Sequence, residues 1–321
     1  MYKELLDKIK EYKCIAIFRH QKPDGDSMFS CVALYHFIKD NFKDKTVKVV
    51  GSEIYDVMTK NDKTSDSFIE KALVIVLDTS IRQRIDDYRA LNGKCIIKID
   101  HHPLVDNYGD INIVETQCAA AAELLAKILL SKTFSKYKMS SEVCKYLYCG
   151  IVTDTINFRT TNTTKDTFDI AATLIEKGDL KIAELVEWVL DYSHEDFQKI
   201  TKIRSHLKVK GRFGYVCLNQ KQLKEIGFDH IQAKNKIDEI GRISDLNIWA
   251  LATQDPNGTY GASFRSKRNY IVNKICHKYG GGGHPNASAV KSISKRQLDS
   301  MFKEMIELST KSVKNAKKGL K

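Results

Sequence analysis

Acids and histidines in this 321-residue chain gather at four short places, three of them directly behind an apolar run. His20, Asp24 and Asp26 fall in HQKPDGDS, just after CIAIF at 14–18. Asp78 closes ALVIVLD at 72–78, and Asp100, His101 and His102 end or follow CIIKID at 95–100. Asp154, in GIVTDT, ends an apolar helical run. Taken singly, several have ordinary readings. Pro-Asp-Gly-Asp makes a turn and a helix cap, and Asp78-Thr79-Ser80 makes another cap. Asp100-His101-His102 resists such a reading, because it places costly polar groups at the edge of a core. Jointly these sites can bring four carboxylates and two imidazoles to one cavity. Unpaired carboxylates repel one another, and divalent cations relieve the repulsion. Mixed carboxylate and imidazole donors suit Mn²⁺ better than Ca²⁺. Two such ions, about 3.5–4 Å apart, activate a water and hold phosphoryl oxygens.

These groups converge only if strands carry them to a common edge. Apolar runs at 14–18, 47–51, 72–78 and 95–100 read as buried strands. Helical patterns cover 27–40, 81–91, 119–131 and 140–151, and a further helix runs from an N-cap at Thr164 to Glu176 with Gly178 beyond its end. The alternation predicts an α/β domain with a mostly parallel sheet and helices on both faces. Ligands of such sheets collect at the carboxyl ends of strands. A polar helical stretch at 194–206 reads as a linker between a domain at 1–193 and a smaller α/β C-terminal domain at 207–321, across a cleft. Strands there are expected at 206–211, 213–219, 246–255 and 260–265, with helical stretches at 220–240 and 270–279. Pro256-Asn257-Gly258 is a hairpin turn signal.

Composition narrows the class. Hydrophobic residues make up 42%, and only four prolines occur. The start, MYKELLDKIKEYK, lacks the apolar core of a signal peptide, and no window reads as a membrane span. The chain therefore reads as cytoplasmic, without a membrane partner. Its eight cysteines form no Cys-x-x-Cys pair and read as reduced thiols. The net charge of +12 favours a polyanionic partner. Half of it lies in residues 291–321, with nine basic and three acidic side chains, which serves a solvated terminal helix as well as a nucleic-acid contact.

The ordered set of motifs resembles the DHH family of phosphoesterases. HQKPDGDS, LDTS, DHHP and GIVTDT are similar to its four motifs, and GGGGHPNASA at 280–289 resembles the glycine-rich segment of the DHH-associated domain. The resemblance implies that His20 and Asp24 bind one metal and that Asp26, His101 and Asp154 bind another. It implies that Asp78 bridges both and helps hold the water nucleophile. Asp100 would orient His101, and His102 would face the substrate phosphate or support the metal shell. In the second domain, Ser263, Arg265 and Ser266 would contact substrate phosphate. Gly281, Gly282 and Gly283, with Gly280 before them, would let backbone N–H groups approach an anion in a shaped loop, and His284 would contact the nucleotide. Phe29 and Ile156-Asn157 depart from the residues many relatives carry; the change at 156–157 removes an arginine, for which Arg159 is the candidate substitute.

Within the family the chain is most similar to the stand-alone oligoribonuclease/pAp phosphatase group of the NrnA type. The implied substrates are short single-stranded RNA, cut to 5′-mononucleotides, and pAp. A cyclic-di-AMP or linear dinucleotide phosphodiesterase is the enzyme alternative. A non-catalytic nucleotide-binding or adhesion-related protein is the alternative of another class, and homodimer formation stays open. The donor set makes a first expectation: chelation abolishes turnover, and added Mn²⁺ restores more activity than Mg²⁺ or Ca²⁺. Full activity in excess chelator would sink the two-metal reading.

Overall fold

A computed structural model describes residues 1–51 and 62–311. Of the basic segment at 291–321, residues 312–321 lie outside the described residues. Two compact units are present, Met1–Asp191 and Tyr192–Lys321.

The first unit begins with α1 (Tyr2–Glu11), β1 (Cys14–Phe18), α2 (Gly25–Asn41), β2 (Thr46–Val49) and a single-turn α3 (Asp66–Ile69). β3 (Leu73–Leu77), β4 (Cys95–Asp100) and β5 (Ile111–Val114) complete its sheet, followed by α4 (Ala121–Leu130), α5 (Ser141–Asp154), α6 (Lys165–Gly178) and α7 (Ile182–Leu190). All five strands are parallel, in the order β2-β1-β3-β4-β5. Leu73 to Leu77 are buried on both faces, as a central parallel strand requires. Ile15, Ile17, Ile75, Leu77, Ile97 and Ile99 point to one face, into a core shared with α1, α2, α4 and α5. Ala16, Phe18, Val74, Val76 and Ile96 point to the other, where Ile69, Ile85, Ala90 and Tyr108 cover them. Long helices thus cover one face, and α3 with two 3₁₀ turns covers the other. Strand order reverses between β1 and β3, and this switch point is where an open sheet leaves a crevice at its carboxyl edge.

Several expected elements differ. Residues 81–91 form two 3₁₀ turns, Arg82–Arg84 and Tyr88–Asn92, in place of one helix. The backbone there pairs sideways with the end of β1: Gln21 donates to the Arg84 carbonyl at 2.6 Å and Asp86 donates to the Arg19 carbonyl at 2.9 Å. Those groups are unavailable to a continuous helix. Thr164 caps α6 as expected, its N–H donating to Thr167 Oγ1 at 3.1 Å. Gly178, however, is the last helical residue, and Asp179 takes the left-handed position, φ 49°. β5 and α7 have no counterpart in the sequence reading.

The second unit contains α8 (His194–Ser205), β6 (Lys208–Lys210), β7 (Phe213–Leu218), α9 (Gln220–Ile226), α10 (His230–Asn235), β8 (Ile248–Gln254) and β9 (Tyr260–Ser266). It ends with α11 (Asn273–Lys278), β10 (Gly282–His284), β11 (Ala287–Ile293) and α12 (Lys295–Thr310). The six strands run β10-β11-β9-β8-β7-β6, antiparallel except for β7 with β8. Phe213, Ala262 and Phe264 pack against Leu298, Met301 and Met305 of α12. On the opposite face Val216, Leu218 and Leu251 meet Leu223 and Ile226 of α9 and Ile200 and Ile203 of α8. The stretch read as a linker therefore contributes two fully buried side chains to the second core. The helical stretch expected at 220–240 is interrupted at Gly227, which ends α9 at φ 88°. All eight cysteines are unpaired. Among the described residues no helix is long and apolar enough to cross a membrane.

α5 approaches its neighbours closely because it carries Gly150. A Cβ at that position would lie 2.5 Å from the Ala122 Cβ and 3.2 Å from Asp26 Oδ1. Backbone would have to shift, at a cost of about 1–3 kcal/mol. Gly150→Ala is therefore expected to lower the thermal midpoint by several degrees, read by differential scanning calorimetry; an unchanged midpoint would show that α5 and α4 separate freely.

Candidate metal centre

Five elements deliver the acids and histidines to the carboxyl edge of the sheet, His101 and His102 following β4. His20 follows β1, Asp24 and Asp26 lie at the start of α2, Asp78 follows β3, and Asp154 is the last residue of α5. His20 Nε2 lies 3.6 Å from Asp24 Oδ2 and 3.4 Å from Asp78 Oδ2. His101 Nε2 lies 3.5 Å from Asp78 Oδ1, 3.8 Å from Asp154 Oδ2 and 3.9 Å from Asp26 Oδ2. Two clusters with donor atoms close enough to share an ion result: His20, Asp24 and Asp78, and Asp26, His101 and Asp154. Asp78 belongs to the first and, through Oδ1, reaches the histidine of the second. A third grouping, Asp78, His101 and His102, overlaps both.

The carboxylates are aimed by helix ends. Asp24 caps α2, one oxygen accepting from Ser27 N–H at 3.1 Å while the other faces His20. Asp26 is buried, and its two oxygens accept the N–H groups of Ala121 and Ala122 at 2.6 and 2.8 Å, the first turn of α4. The cap reading and the ligand reading thus describe the same residues; backbone N–H groups at a helix start steady a carboxylate charge. The histidines are fixed in the complementary way. His20 Nδ1 is 2.8 Å from the Gln21 carbonyl, and His101 Nδ1 is 3.2 Å from the Cys118 carbonyl. A carbonyl accepts only, so each Nδ1 carries the proton and each Nε2 is left facing the carboxylates.

Asp100 is engaged differently from the expectation. Its Oδ1 accepts from His102 N–H at 3.2 Å and lies 2.9 Å from His102 Nδ1, so it orients His102, while His101 leans on the Cys118 carbonyl. A strand reverses side-chain direction at each residue, and only one of two consecutive histidines can turn toward the preceding acid.

Charge balance in the cluster is severe. Burial works against a proton on His20, yet Asp24 and Asp78 outweigh it and push the imidazole up to about 10. His101 is raised well above the usual histidine range, Asp78 likewise overcoming burial. Burial, with repulsion from Asp78 and Asp154, lifts Asp26 far above an ordinary carboxyl, and burial lifts Asp154 to about 7. Asp78 moves the other way: burial opposes its charge, but His101 and His20 hold it well below the usual range. Asp78 Oδ1 is buried and makes no hydrogen bond in the protein. Such a set of mutually repelling acids, one with an orphaned buried oxygen, fits divalent cations; any ion entering it displaces protons from the imidazoles, so affinity falls as pH drops.

The groups that hold this edge in shape carry little signal in the sequence. Asp78 itself sits at φ 52°, a left-handed conformation that aspartate tolerates better than most residues. Lys98 and Tyr108 lie behind it, and Gln21 Nε2 donates to the carbonyls of Gln83 and Ile85 at 3.3 Å. The available signal was Lys98, a lone charge inside the otherwise apolar CIIKI run. Past Asp154, Ile156, Asn157 and Phe158 form three successive left-handed residues, with φ of 50°, 57° and 62°. Thr155 Oγ1 accepts the Phe158 N–H at 2.9 Å, and the Phe158 ring stacks on Phe168 at 5.0 Å. Phe29 is buried against Trp188 and Tyr146, in helix packing.

In the second unit, β9 carries Ser263 and Arg265 on one face, opposite Leu251 and Trp249 of β8. Arg265 Nε lies 3.9 Å from Asp238 Oδ1, and the side chain is one-third exposed. Alternation puts Ser266 on the opposite face, where its hydroxyl donates to the Tyr270 carbonyl and accepts from Asn286 Nδ2 at 2.9 Å. Ser266 thus fastens a loop and does not join Arg265. Gly280, just beyond the Tyr279 cap of α11, has φ 73°, and Gly282, Gly283 and His284 form an edge strand paired with Ala289, Ser288 and Ala287. The expected shaped loop is a short hairpin. Gly281 is obligatory there, since a Cβ would fall 2.3 Å from the Ala289 carbonyl oxygen.

The chain is similar to known proteins along nearly its whole length. Residues 14–151 match the DHH family, N-terminal domain, and residues 215–311 match the DHHA1 domain. A probable bifunctional oligoribonuclease and PAP phosphatase NrnA of Streptococcus mutans is 36% identical over 96% of this chain and 98% of its own length. The bifunctional oligoribonuclease and PAP phosphatase NrnA of Bacillus subtilis is 28% identical over 95% of this chain and 97% of its own. The crystal structure of an exopolyphosphatase-related protein from Bacteroides fragilis superposes with a TM-score of 0.82 at 22% identity, covering 95% of each chain, which establishes the common fold. Two domains matched in chain order and a 36% identical relative aligned along nearly its whole length show that the chain belongs to the DHH family.

Proposed function

We propose that this chain is a two-metal phosphoesterase that hydrolyses short single-stranded oligoribonucleotides to 5′-mononucleotides and also dephosphorylates pAp. The observation that carries the reading is the convergence of His20, Asp24, Asp26, His101 and Asp154 around a buried Asp78 with an unbonded oxygen. His20 and Asp24 would hold one divalent ion, Asp26, His101 and Asp154 the other, and Asp78 both. Imidazoles among the carboxylates favour Mn²⁺. Bound there, the pair supplies Lewis-acid stabilisation of phosphoryl oxygens and a more acidic water. The chain's own contribution is aim. The α2 and α4 caps fix the carboxylates, and the Gln21 and Cys118 carbonyls keep the Nδ1 protons in place. His102, steadied by Asp100, would face the substrate phosphate. In the second unit, Ser263, Arg265, Gly281, Gly282, Gly283 and His284 are the candidates for substrate contact. Arg265 supplies a planar, permanently charged fork for phosphate oxygens. Relatives named as oligoribonuclease and PAP phosphatase support this substrate class.

Two measurements test the reading. Asp78→Ala removes a donor that both ions would share, and a rate loss of roughly 10³-fold or more is expected with the fold retained. A near-normal rate would refute the shared-ligand role. The substrate class is tested by a Mn²⁺ assay on RNA from two to about ten nucleotides, with pAp, cyclic-di-AMP and pyrophosphate beside it. Efficiency should be greatest on the dinucleotide, decline steeply with length, and be measurable on pAp. Equal or better efficiency on the longest strand would reject the short-RNA assignment, and a clear preference for cyclic-di-AMP would move the chain to the cyclic dinucleotide phosphodiesterases.

A further inference from the structure

Lys98 is a charged side chain with no solvent exposure, in the middle of β4. An ammonium group has three donors and must satisfy them when buried. Here they meet three separate segments. Nζ donates to the Ser80 carbonyl at 2.8 Å and to the Asp106 carbonyl at 3.1 Å. It also lies 3.3 Å from Asp100 Oδ2, at ion-pair distance without hydrogen-bond alignment. Ser80 stands two residues after Asp78, and Asp106 lies in the loop beyond His101 and His102. Tyr108 completes the arrangement. Lys98 Nζ sits 5.1 Å above its ring, and its hydroxyl donates to the Thr79 carbonyl at 2.8 Å.

We infer that Lys98, with Tyr108, is a positioning residue of the metal centre: its ammonium ties the turn that carries Asp78 to the loop behind His102 and anchors the Asp100 carboxylate that orients His102. Three observations carry this. The turn is held at a left-handed Asp78, a conformation that persists only when neighbouring bonds over-determine it. Two of the bonds that hold it, to the Thr79 and Ser80 carbonyls, come from Tyr108 and Lys98. The Asp100 carboxylate is divided between Lys98 on one oxygen and His102 on the other, so the cation and the imidazole are joined through one rigid group. A methionine at 98 would satisfy the volume of the core, which marks the buried charge as serving the site.

The inference rests on the proposed metal centre, and calorimetric Mn²⁺ titration of the full chain separates the two. Lys98→Met, confirmed as folded by near-ultraviolet circular dichroism, should bind Mn²⁺ about 10-fold more weakly and lose about 10–100-fold in kcat, the usual range for outer partners of a metal site. KM for a dinucleotide should stay within about 2-fold, because no substrate contact is removed. If Lys98→Met does not fold, Tyr108→Phe takes its place. It deletes one hydroxyl and should weaken Mn²⁺ binding and kcat in the same direction by about 3-fold or more. A folded Lys98→Met with unchanged Mn²⁺ affinity and kcat, differing only in thermal midpoint, would reduce Lys98 to a structural residue and overturn the inference. An unchanged Tyr108→Phe would do the same in its place. A wild-type chain that takes up no Mn²⁺ would overturn the metal centre itself, and the role of Lys98 with it.

Discussion

Like charge held at short range is the constraint on which the rest of this molecule turns. Asp24, Asp26, Asp78 and Asp154 are brought to one sheet edge with His20 and His101 between them, and two of the acids are almost fully buried. Isolated ionised carboxylates in a low-dielectric interior are costly, and such groups either neutralise or find a partner. Both responses are visible. Asp26 and Asp154 shift toward the neutral form, while Asp78 stays ionised against two imidazoles. An assembly of this kind serves stability poorly and cation binding well.

The fold can be understood as what holds that arrangement. The parallel sheet places His20 and Asp78 at adjacent strand ends, on either side of the point where strand order reverses. α2 and α4 turn their N-termini toward Asp24 and Asp26, so the same N–H groups that lack partners within a helix steady the acids. Gly150 lets α5 come close enough for Asp154 to join them. On the far side of the sheet the paired backbone of residues 19–21 and 84–86 fixes the loop that carries His20. The stretch after Asp154, three left-handed residues without a glycine, stores conformational strain next to the centre.

Much of this was legible in the sequence, for physical reasons. The strands that hold the site are continuous apolar runs, because both faces of a parallel sheet are buried, and the acids stand out where those runs end. What was not legible depended on tertiary pairing. Residues 81–91 carry a helical pattern, but sideways bonding to residues 19–21 takes the backbone groups a helix would use. β5 has four residues with a polar Asn112 among them, too short for periodicity to register. The polar helix at 194–205 hides two core residues, Ile200 and Ile203, among charges. Asp100 follows the same rule: adjacency suggested His101 as its partner, and only side-chain direction at the strand end selects His102. In the second unit, strand alternation separates Ser266 from Arg265, although the two are neighbours in the chain.

The proposed centre holds two cations on one shared carboxylate, Asp78, which fixes both their number and their place. Anomalous diffraction at the manganese edge, from crystals of the full chain grown with Mn²⁺, reads both directly. Two peaks are expected about 3.5–4 Å apart, each within coordination distance of an Asp78 oxygen, one beside His20 and Asp24 and the other beside Asp26, His101 and Asp154. A single peak, or a pair that leaves Asp78 unliganded, is incompatible with a shared-carboxylate centre.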